Sequence, residues 1–316
     1  MSCYSPNYVI YTDSGFGRFG GKLTQGVLDS YPPGQVVPVP CGRCTGCRMD
    51  YGKQWADRML LEYNTPRVYG SKKALFVTLT YDDEHLPFVS CSDGAFRSTL
   101  RKRDYQLFFK RLRKSYSVRY LLCGEYGDNT HRPHYHAVIF GLSVSDFPDS
   151  VVYRRDDKAS TCLYSSLTFS NFWQNGFCTI ADASFDTMCY VSRYVLKKQY
   201  SSDYLLDFYK GRQPPFIVSS RHPGIGSDFF DGLDVSSVGL NDGHGVRVIS
   251  RPRVSLEKLS LTDPSAYDTI KSRRRMLSED QRYQIEKQSN MRWLDYLMSS
   301  KLSLDRRFVN YRNKKL

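Results

Sequence analysis

The sequence has no run of 18 apolar residues, which excludes an ordinary hydrophobic transmembrane helix. Its first thirty residues lack a charged start followed by an apolar core, so no signal peptide is expected. No Gly-x4-Gly-Lys-Ser/Thr loop occurs, so nothing suggests an ATPase or helicase module. Gly15-Phe-Gly17-Arg-Phe-Gly20 matches the glycine spacing of dinucleotide sites, but Tyr31-Pro-Pro-Gly34 follows too soon for the required helix. That stretch reads as a turn. No internal repeat is present. Acidic residues are also scarce, 32 against 45 Lys and Arg, which leaves a net charge of +13.

Such an excess favours a polyanion, and 24 tyrosines supply flat faces for unpaired bases. Residues 271–316 hold 13 basic and 5 acidic side chains, a net of +8, so the tail carries over half the excess. Nine cysteines are an odd number with three in one tight cluster, which argues against a disulfide framework and for a reducing cytoplasm. With 316 residues the chain can bury a large core in one domain or two.

Patterning gives an amphipathic helix over 48–63, with Tyr51, Trp55, Met59 and Tyr63 on one side. A strand follows over 73–81, then a helix from an Asp104 N-cap to about Tyr116. Tyr105, Phe108, Phe109 and Leu112 form its buried stripe; Lys110, Arg111, Arg113 and Lys114 form its wet face. Strands at 118–126 and 133–142, joined by a turn at Asp128-Asn129, make a β-hairpin. Residues 144–170 read as a polar connection, with a short helix near Ser166–Trp173. A strand at 177–181 precedes a helix starting near Ser184. Residues 212–255 are punctuated by Gly and Pro, and 264–300 look helical. The fold class is α+β, an antiparallel sheet with helices on it. The expected divisions are an N-terminal segment 1–63, a core 64–211 and a basic region 212–316.

Two constellations inside this plan carry chemistry. Residues two apart on a strand share a face, so His134 and His136 project side by side, and Glu125 on the preceding strand can join them. Two imidazoles and a carboxylate leave coordination positions open, as catalytic Mg²⁺ or Mn²⁺ requires. His131 lies in the turn and reads as solvated. On the later helix, Tyr194 and Lys197 sit about 40° and −20° from Tyr190 on an ideal 3.6-residue repeat. Two phenols on one face can attack phosphorus in turn, with Lys197 steadying the charge. A His pair on a half-exposed strand, or a Tyr pair packed in a core, is the plain alternative for either constellation alone. Arg132, Arg193, Lys198, Lys110 and Arg113 are the candidate DNA-phosphate contacts.

Cys41-Gly-Arg-Cys44-Thr-Gly-Cys47 sets three thiols at Cys-x2-Cys-x2-Cys spacing, and Cys3 is a candidate fourth. Structural Zn²⁺, free thiols and an iron–sulfur centre all fit that spacing, and no redox partner motif accompanies it.

In order along the chain, the stretches Cys3–Pro6, Pro40–Arg48, Gln54-Trp55-Ala56, Phe76-Val-Thr-Leu-Thr80 through Pro87, and Phe109–Arg113 resemble the replication initiators of gokushovirus-type microviruses. Cys123-Gly-Glu125-Tyr-Gly127, Arg132-Pro-His134-Tyr-His136, Tyr190–Lys198 and Pro223-Gly-Ile-Gly226 continue the match. These initiators belong to the HUH superfamily of nicking endonucleases. The resemblance implies a five-stranded antiparallel sheet with the His pair on its central strand and the tyrosine helix beside it. It implies metal ligation by His134, His136 and Glu125, and nucleophilic attack by Tyr190 and Tyr194, with Lys197 as the motif lysine. The implied partners are single-stranded or supercoiled phage origin DNA and a host helicase with its replication proteins, with no membrane. The implied setting is the cytoplasm of the infected bacterium. Two other readings are kept: a basic zinc-knuckle packaging protein without chemistry, and a plasmid or conjugative relaxase. Relaxases commonly carry the tyrosine before the His pair, whereas Tyr190 and Tyr194 follow it.

Overall fold

The computed structural model describes residues 3–12, 15–18, 24–32, 35–65, 73–127, 129–156, 161–197 and 209–313. The chain falls into two units, Met1–Tyr51 with Tyr267–Leu316, and Gly52–Ala266. In the first unit β1 (Asn7–Thr12) pairs antiparallel with β2 (Gly15–Arg18) and with β3 (Val36–Val39). The glycine stretch read as a turn therefore opens with a strand. Between them lies α1 (Gln25–Asp29), and after them α2 (Thr45–Tyr63) starts inside the cysteine cluster, three residues earlier than the apolar spacing suggested. The part of α2 from Gly52 onward belongs to the second unit.

The second unit is built on one sheet. Its strands are β4 (Ala74–Tyr81), β7 (Arg119–Tyr126), β8 (Pro133–Phe140), β9 (Val151–Asp156), β10 (Thr161–Ser165), β11 (Gly176–Asp182) and β12 (Phe216–Ser219); a small separate hairpin, β5 (Phe88–Ser90) with β6 (Phe96–Ser98), follows β4. The order across the sheet is β12-β7-β8-β4-β11-β10-β9, antiparallel throughout. Seven strands stand where five were expected. The hairpin β9–β10 extends one edge, and Val151, Val152 and Tyr153 are all exposed on it. With neither face of β9 buried, that strand shows no apolar alternation, which is why 144–170 read as a polar connection. At the other edge, β12 comes from the Gly/Pro-punctuated region.

Alternation along the strands divides two cores. Leu75, Val77, Leu79 and Tyr81 point to one face with Leu122, Tyr135, Ala137 and Ile139. There they meet α3 (Lys102–Leu112) through Tyr105, Phe108, Phe109 and Leu112, and α4 (Leu167–Trp173) through Phe169 and Trp173. Each such side chain contributes about 1.5–3 kcal/mol by leaving water. Ser166 caps α4, accepting from Phe169 N at 3.0 Å. Arg111 closes its other end, donating to the carbonyls of Phe172 (2.7 Å) and Trp173 (2.8 Å). Asp104 is not the N-cap of α3: Arg101 holds that position and Asp104 lies in the first turn. The carboxylate is buried, accepting at 2.7 Å from the Tyr81 hydroxyl, which itself lies 2.7 Å from that of Tyr135. The buried Tyr81 phenol needed an acceptor, and that demand outweighed capping.

On the opposite face Phe76, Leu121, Cys123, Val138 and Phe140 pack on Met59, Leu60 and Leu61 of α2 and on Phe185, Met188 and Val191 of α5 (Phe185–Lys197). The hairpin β13 (Ser237–Asn241) with β14 (Val246–Ser250) leans on the start of α5. Arg247 lies 4.7 Å over the Phe185 ring and pairs with Asp57 at 2.6 Å, while His244 Nε2 is 3.1 Å from Asp186. After α6 (Arg253–Thr262) come α7 (Pro264–Ser289), which belongs to the first unit from Tyr267 onward, and α8 (Trp293–Asn313). The expected helix of 264–300 is thus two, broken at Asn290, whose φ is 50°. Among the described residues no helix is long and apolar enough to cross a membrane.

The Pro223-Gly-Ile-Gly226 stretch straps α2 to β7. Buried Glu62 accepts from Arg119 Nε at 2.5 Å and from Gly226 N at 2.7 Å; Arg119 also donates to Pro223 O at 2.8 Å, and Arg58 to Ile225 O at 2.9 Å. Gly226 has φ +66°, and a Cβ there would stand 2.5 Å from Arg58 O. At Gly232 (φ +72°) a Cβ would meet nothing within 4 Å. Gly232→Ala should therefore cost only the left-handed backbone term, about 1–2 kcal/mol. Gly226→Ala adds overpacking and should cost roughly 2–5 kcal/mol. Urea unfolding of the two variants measures the difference; equal losses would show that the strap tolerates a side chain.

Candidate functional site

Strand register alone brings three ligand-type side chains together. Glu125 lies opposite His134 across β7–β8, and His136 lies opposite Cys123 on one side and Thr78 on the other. All point to the face that carries α5. His134 Nε2 is 2.9 Å and His136 Nε2 3.2 Å from the same atom, Glu125 Oε1. Glu125 and His136 are buried, at 4% and 6% exposure.

The far nitrogens are tied as well. His134 Nδ1 is 3.0 Å from the carbonyl oxygen of Arg132, and His136 Nδ1 is 3.0 Å from Thr78 Oγ1. A carbonyl only accepts, so Nδ1 of His134 is the protonated nitrogen. Its Nε2 then faces a carboxylate oxygen across a gap that a proton or a cation must fill. Burial by itself would raise the Glu125 carboxyl, but hydrogen bonding to His134 and His136 outweighs it and holds the group well below its ordinary range. The carboxylate is ionised, and the three ligand atoms lie within 4.8 Å of one another. A small divalent cation fits this donor set, which leaves coordination positions for other oxygens.

Tyr190 is the phenol that reaches this cluster. Its ring centroid is 5.3 Å from that of His136, edge to face at 81°, and 5.9 Å from Phe76 at 85°. Helix α5 is set there by Phe185, Met188 and Val191 on its buried side, and by Ser184, whose hydroxyl accepts from Thr187 N at 3.3 Å. Tyr194 and Lys197 continue the same helix, but their side chains lie outside the described residues, as does all of Lys198.

The other sequence candidates are spread out. Arg193 is exposed on α5. The side chain of Arg132 is engaged with Tyr81 O (2.9 Å) and Asp83 Oδ1 (2.8 Å) at the end of β4. Lys110 and Arg113 are exposed on α3, which covers the sheet face opposite the His pair. The basic stretch 271–316 belongs to the first unit, whereas the His cluster is in the second. His131 is exposed in the turn. Sequence reading assigned no role to Phe76 and Thr78. The signal was available: positions 76, 78 and 80 alternate onto the His face of the neighbouring strand.

A second cluster lies in the first unit. The sulfurs of Cys3, Cys41, Cys44 and Cys47 also lie within 4.8 Å of one another. Cys44 Sγ is 3.8 Å from Cys3 Sγ, and Cys41 Sγ is 3.9 Å from Cys47 Sγ. Burial would raise the Cys41 thiol, yet the N–H groups of Arg43 and Cys44 hold it down at about 7. The turn Cys41–Cys44 therefore offers a thiolate near neutral pH.

Residues 74–199 match the family model of the replication-associated proteins of the ORF2 type. The chain is 29% identical over 306 residues to the replication-associated protein ORF2 of Spiroplasma virus 4, covering 92% of this chain and 87% of the relative. It is 31% identical to the replication-associated protein VP4 of Bdellovibrio phage phiMH2K, over 63% of this chain and 58% of that one. It is 28% identical to the replication-associated protein ORF4 of Chlamydia phage 1, over 51% and 38% respectively. No solved structure matches the chain. The relatives are of the gokushovirus-type phages that the ordered motifs suggested.

Proposed function

We propose, from the match of residues 74–199 to the ORF2-type family of replication-associated proteins, that the protein initiates phage DNA replication by nicking and rejoining origin DNA through a 5′-phosphotyrosine. One observation carries this reading beyond the family name: the Tyr190 ring lies 5.3 Å from the ring of His136, beside the only Glu/His/His cluster among the described residues. A divalent cation, Mg²⁺ or Mn²⁺, held by Glu125, His134 and His136 would polarise the scissile phosphate.

The phenol oxygen of Tyr190 attacks phosphorus, a P–O bond to Tyr190 forms, and the P–O3′ bond breaks. The 3′ oxygen leaves as a hydroxyl, taking up the proton that the phenol gives away. The phosphotyrosine ester keeps the energy of the bond it replaced, so attack by a 3′-hydroxyl rejoins the strand without ATP. Tyr194, about one turn along α5, is the second nucleophile, and Lys197 steadies developing negative charge. Arg193, Lys198 and the exposed cations of α3 hold DNA phosphates, most of whose affinity is electrostatic. Unwinding falls to a host helicase, and the protein works in the cytoplasm of the infected cell.

The cysteine cluster takes a different role in the same reading. A tetrahedral Zn²⁺ with bonds of about 2.3 Å sets its sulfurs about 3.8 Å apart. The spacings of 3.8 and 3.9 Å fit it. Four thiolates leave no position for substrate, so a zinc held there would be structural and would tie Cys3 to the start of α2. Metal analysis should find one zinc per chain, and Cys41→Ser should lower the melting temperature far more than the cleavage rate. Absence of zinc, with Cys3 and Cys41 both freely alkylated in the folded protein, would refute the site.

The central test uses labelled single-stranded origin DNA with Mg²⁺ or Mn²⁺. A denaturant-resistant adduct should form, and His134→Ala should abolish it while most DNA binding persists. Tyr190→Phe or Tyr194→Phe alone should leave single-step nicking through the remaining tyrosine, and the double variant should give no adduct. DNA linked to a peptide outside Tyr190–Tyr194 would overturn the nucleophile assignment.

A further inference from the structure

The stretch Phe76-Val-Thr-Leu-Thr80 is a motif of the sequence to which the chemistry above gives no task. It forms most of β4, the neighbour of the histidine strand, and register sets Thr78 directly opposite His136. The Phe76 ring lies nearly parallel to the His136 ring, at 11° and 5.8 Å between centroids. Thr78 Oγ1 lies 3.0 Å from His136 Nδ1.

His136 can offer Nε2 to a cation only if its proton sits on Nδ1. The ring is 6% exposed, so that N–H needs a protein acceptor. For His134 the acceptor is a backbone carbonyl, that of Arg132. For His136 it is a side chain. A threonine is well suited: its β-branch restricts χ1 and so fixes where the oxygen stands.

We propose that Thr78 is a positioning residue of the metal site, holding His136 in the Nδ1–H tautomer and in the ring plane that aims Nε2 at Glu125 Oε1. The inference rests on the reading that Glu125, His134 and His136 hold a divalent cation. Thr78 touches neither substrate nor cation and acts through His136. Valine has the same shape without the acceptor, so it removes this hydrogen bond and leaves the tautomer unset.

The test measures Mn²⁺ affinity of the full chain without DNA, by the loss of the free Mn²⁺ signal in electron paramagnetic resonance. Thr78→Val should weaken binding about 10–100-fold, the usual effect of losing such an outer hydrogen bond. Thr78→Ser keeps the oxygen and should stay within about threefold, the small loss reflecting a freer χ1. Thr80→Val makes the same exchange two residues along, where the hydroxyl bonds neither imidazole, and should bind like the parent. Thermal melting checks that each variant folds, and Thr78→Ala replaces Thr78→Val if the latter does not. Parent-like Mn²⁺ affinity in the folded hydroxyl-less variant, with His134→Ala abolishing binding, would refute Thr78 alone. A parent protein that binds no Mn²⁺ would overturn the metal reading itself.

Discussion

Two imidazole nitrogens facing one carboxylate oxygen, at 2.9 and 3.2 Å in a buried place, form the interaction on which the rest of the site depends. Left without a proton or cation between them, the lone pairs repel, and the cost rises with burial. The surroundings do nothing to relax the arrangement. Nδ1 of each ring is held from behind, and the carboxylate sits between strands that cannot slide without turning every side chain to the other face. Burial and register together thus favour positive charge between these three groups.

Antiparallel pairing supplies the geometry cheaply. Because β7, β8 and β4 are adjacent, one short cross-strand line reads Cys123, His136, Thr78, and the next has Glu125, His134, Thr80. The candidate ligands and their supports come from neighbouring rungs of one ladder and not from loops, so the site is as rigid as the sheet. Helix α5 then needs only to bring a phenol to its rim. It is held for that purpose from beneath by Val191 and Met188 and at its start by Phe185 under Arg247. The opposite core, rich in Phe108, Phe109, Phe169 and Trp173, stabilises the sheet without touching the cluster.

Much of this was legible in the sequence, for reasons that explain the failures too. The hairpin bearing Glu125, His134 and His136 and the strand at Ala74–Tyr81 were readable as short apolar runs bounded by polar residues, and the hairpin also by its short range in sequence. The helix of Tyr190 was readable from its 3.6-residue spacing. The edge hairpin Val151–Ser165 was not, because its first strand is wet and carries no alternation. Asp104 was misread as a cap because its partner, Tyr81, lies 23 residues away and only the folded sheet brings the two together. Thr78 was missed for the same reason: its hydrogen bond to His136 spans 58 residues. The Pro223–Gly226 strap likewise depends on Glu62, far back in the chain.

The central claim is that Glu125, His134 and His136 hold one divalent cation beside Tyr190. Diffraction from crystals grown or soaked with Mn²⁺, recorded where manganese scatters anomalously, tests it without reference to activity. The expected result is a single anomalous peak about 2.0–2.4 Å from Nε2 of both histidines and from a Glu125 oxygen. A strongest peak elsewhere in the unit Gly52–Ala266, or none at saturating Mn²⁺, would contradict it.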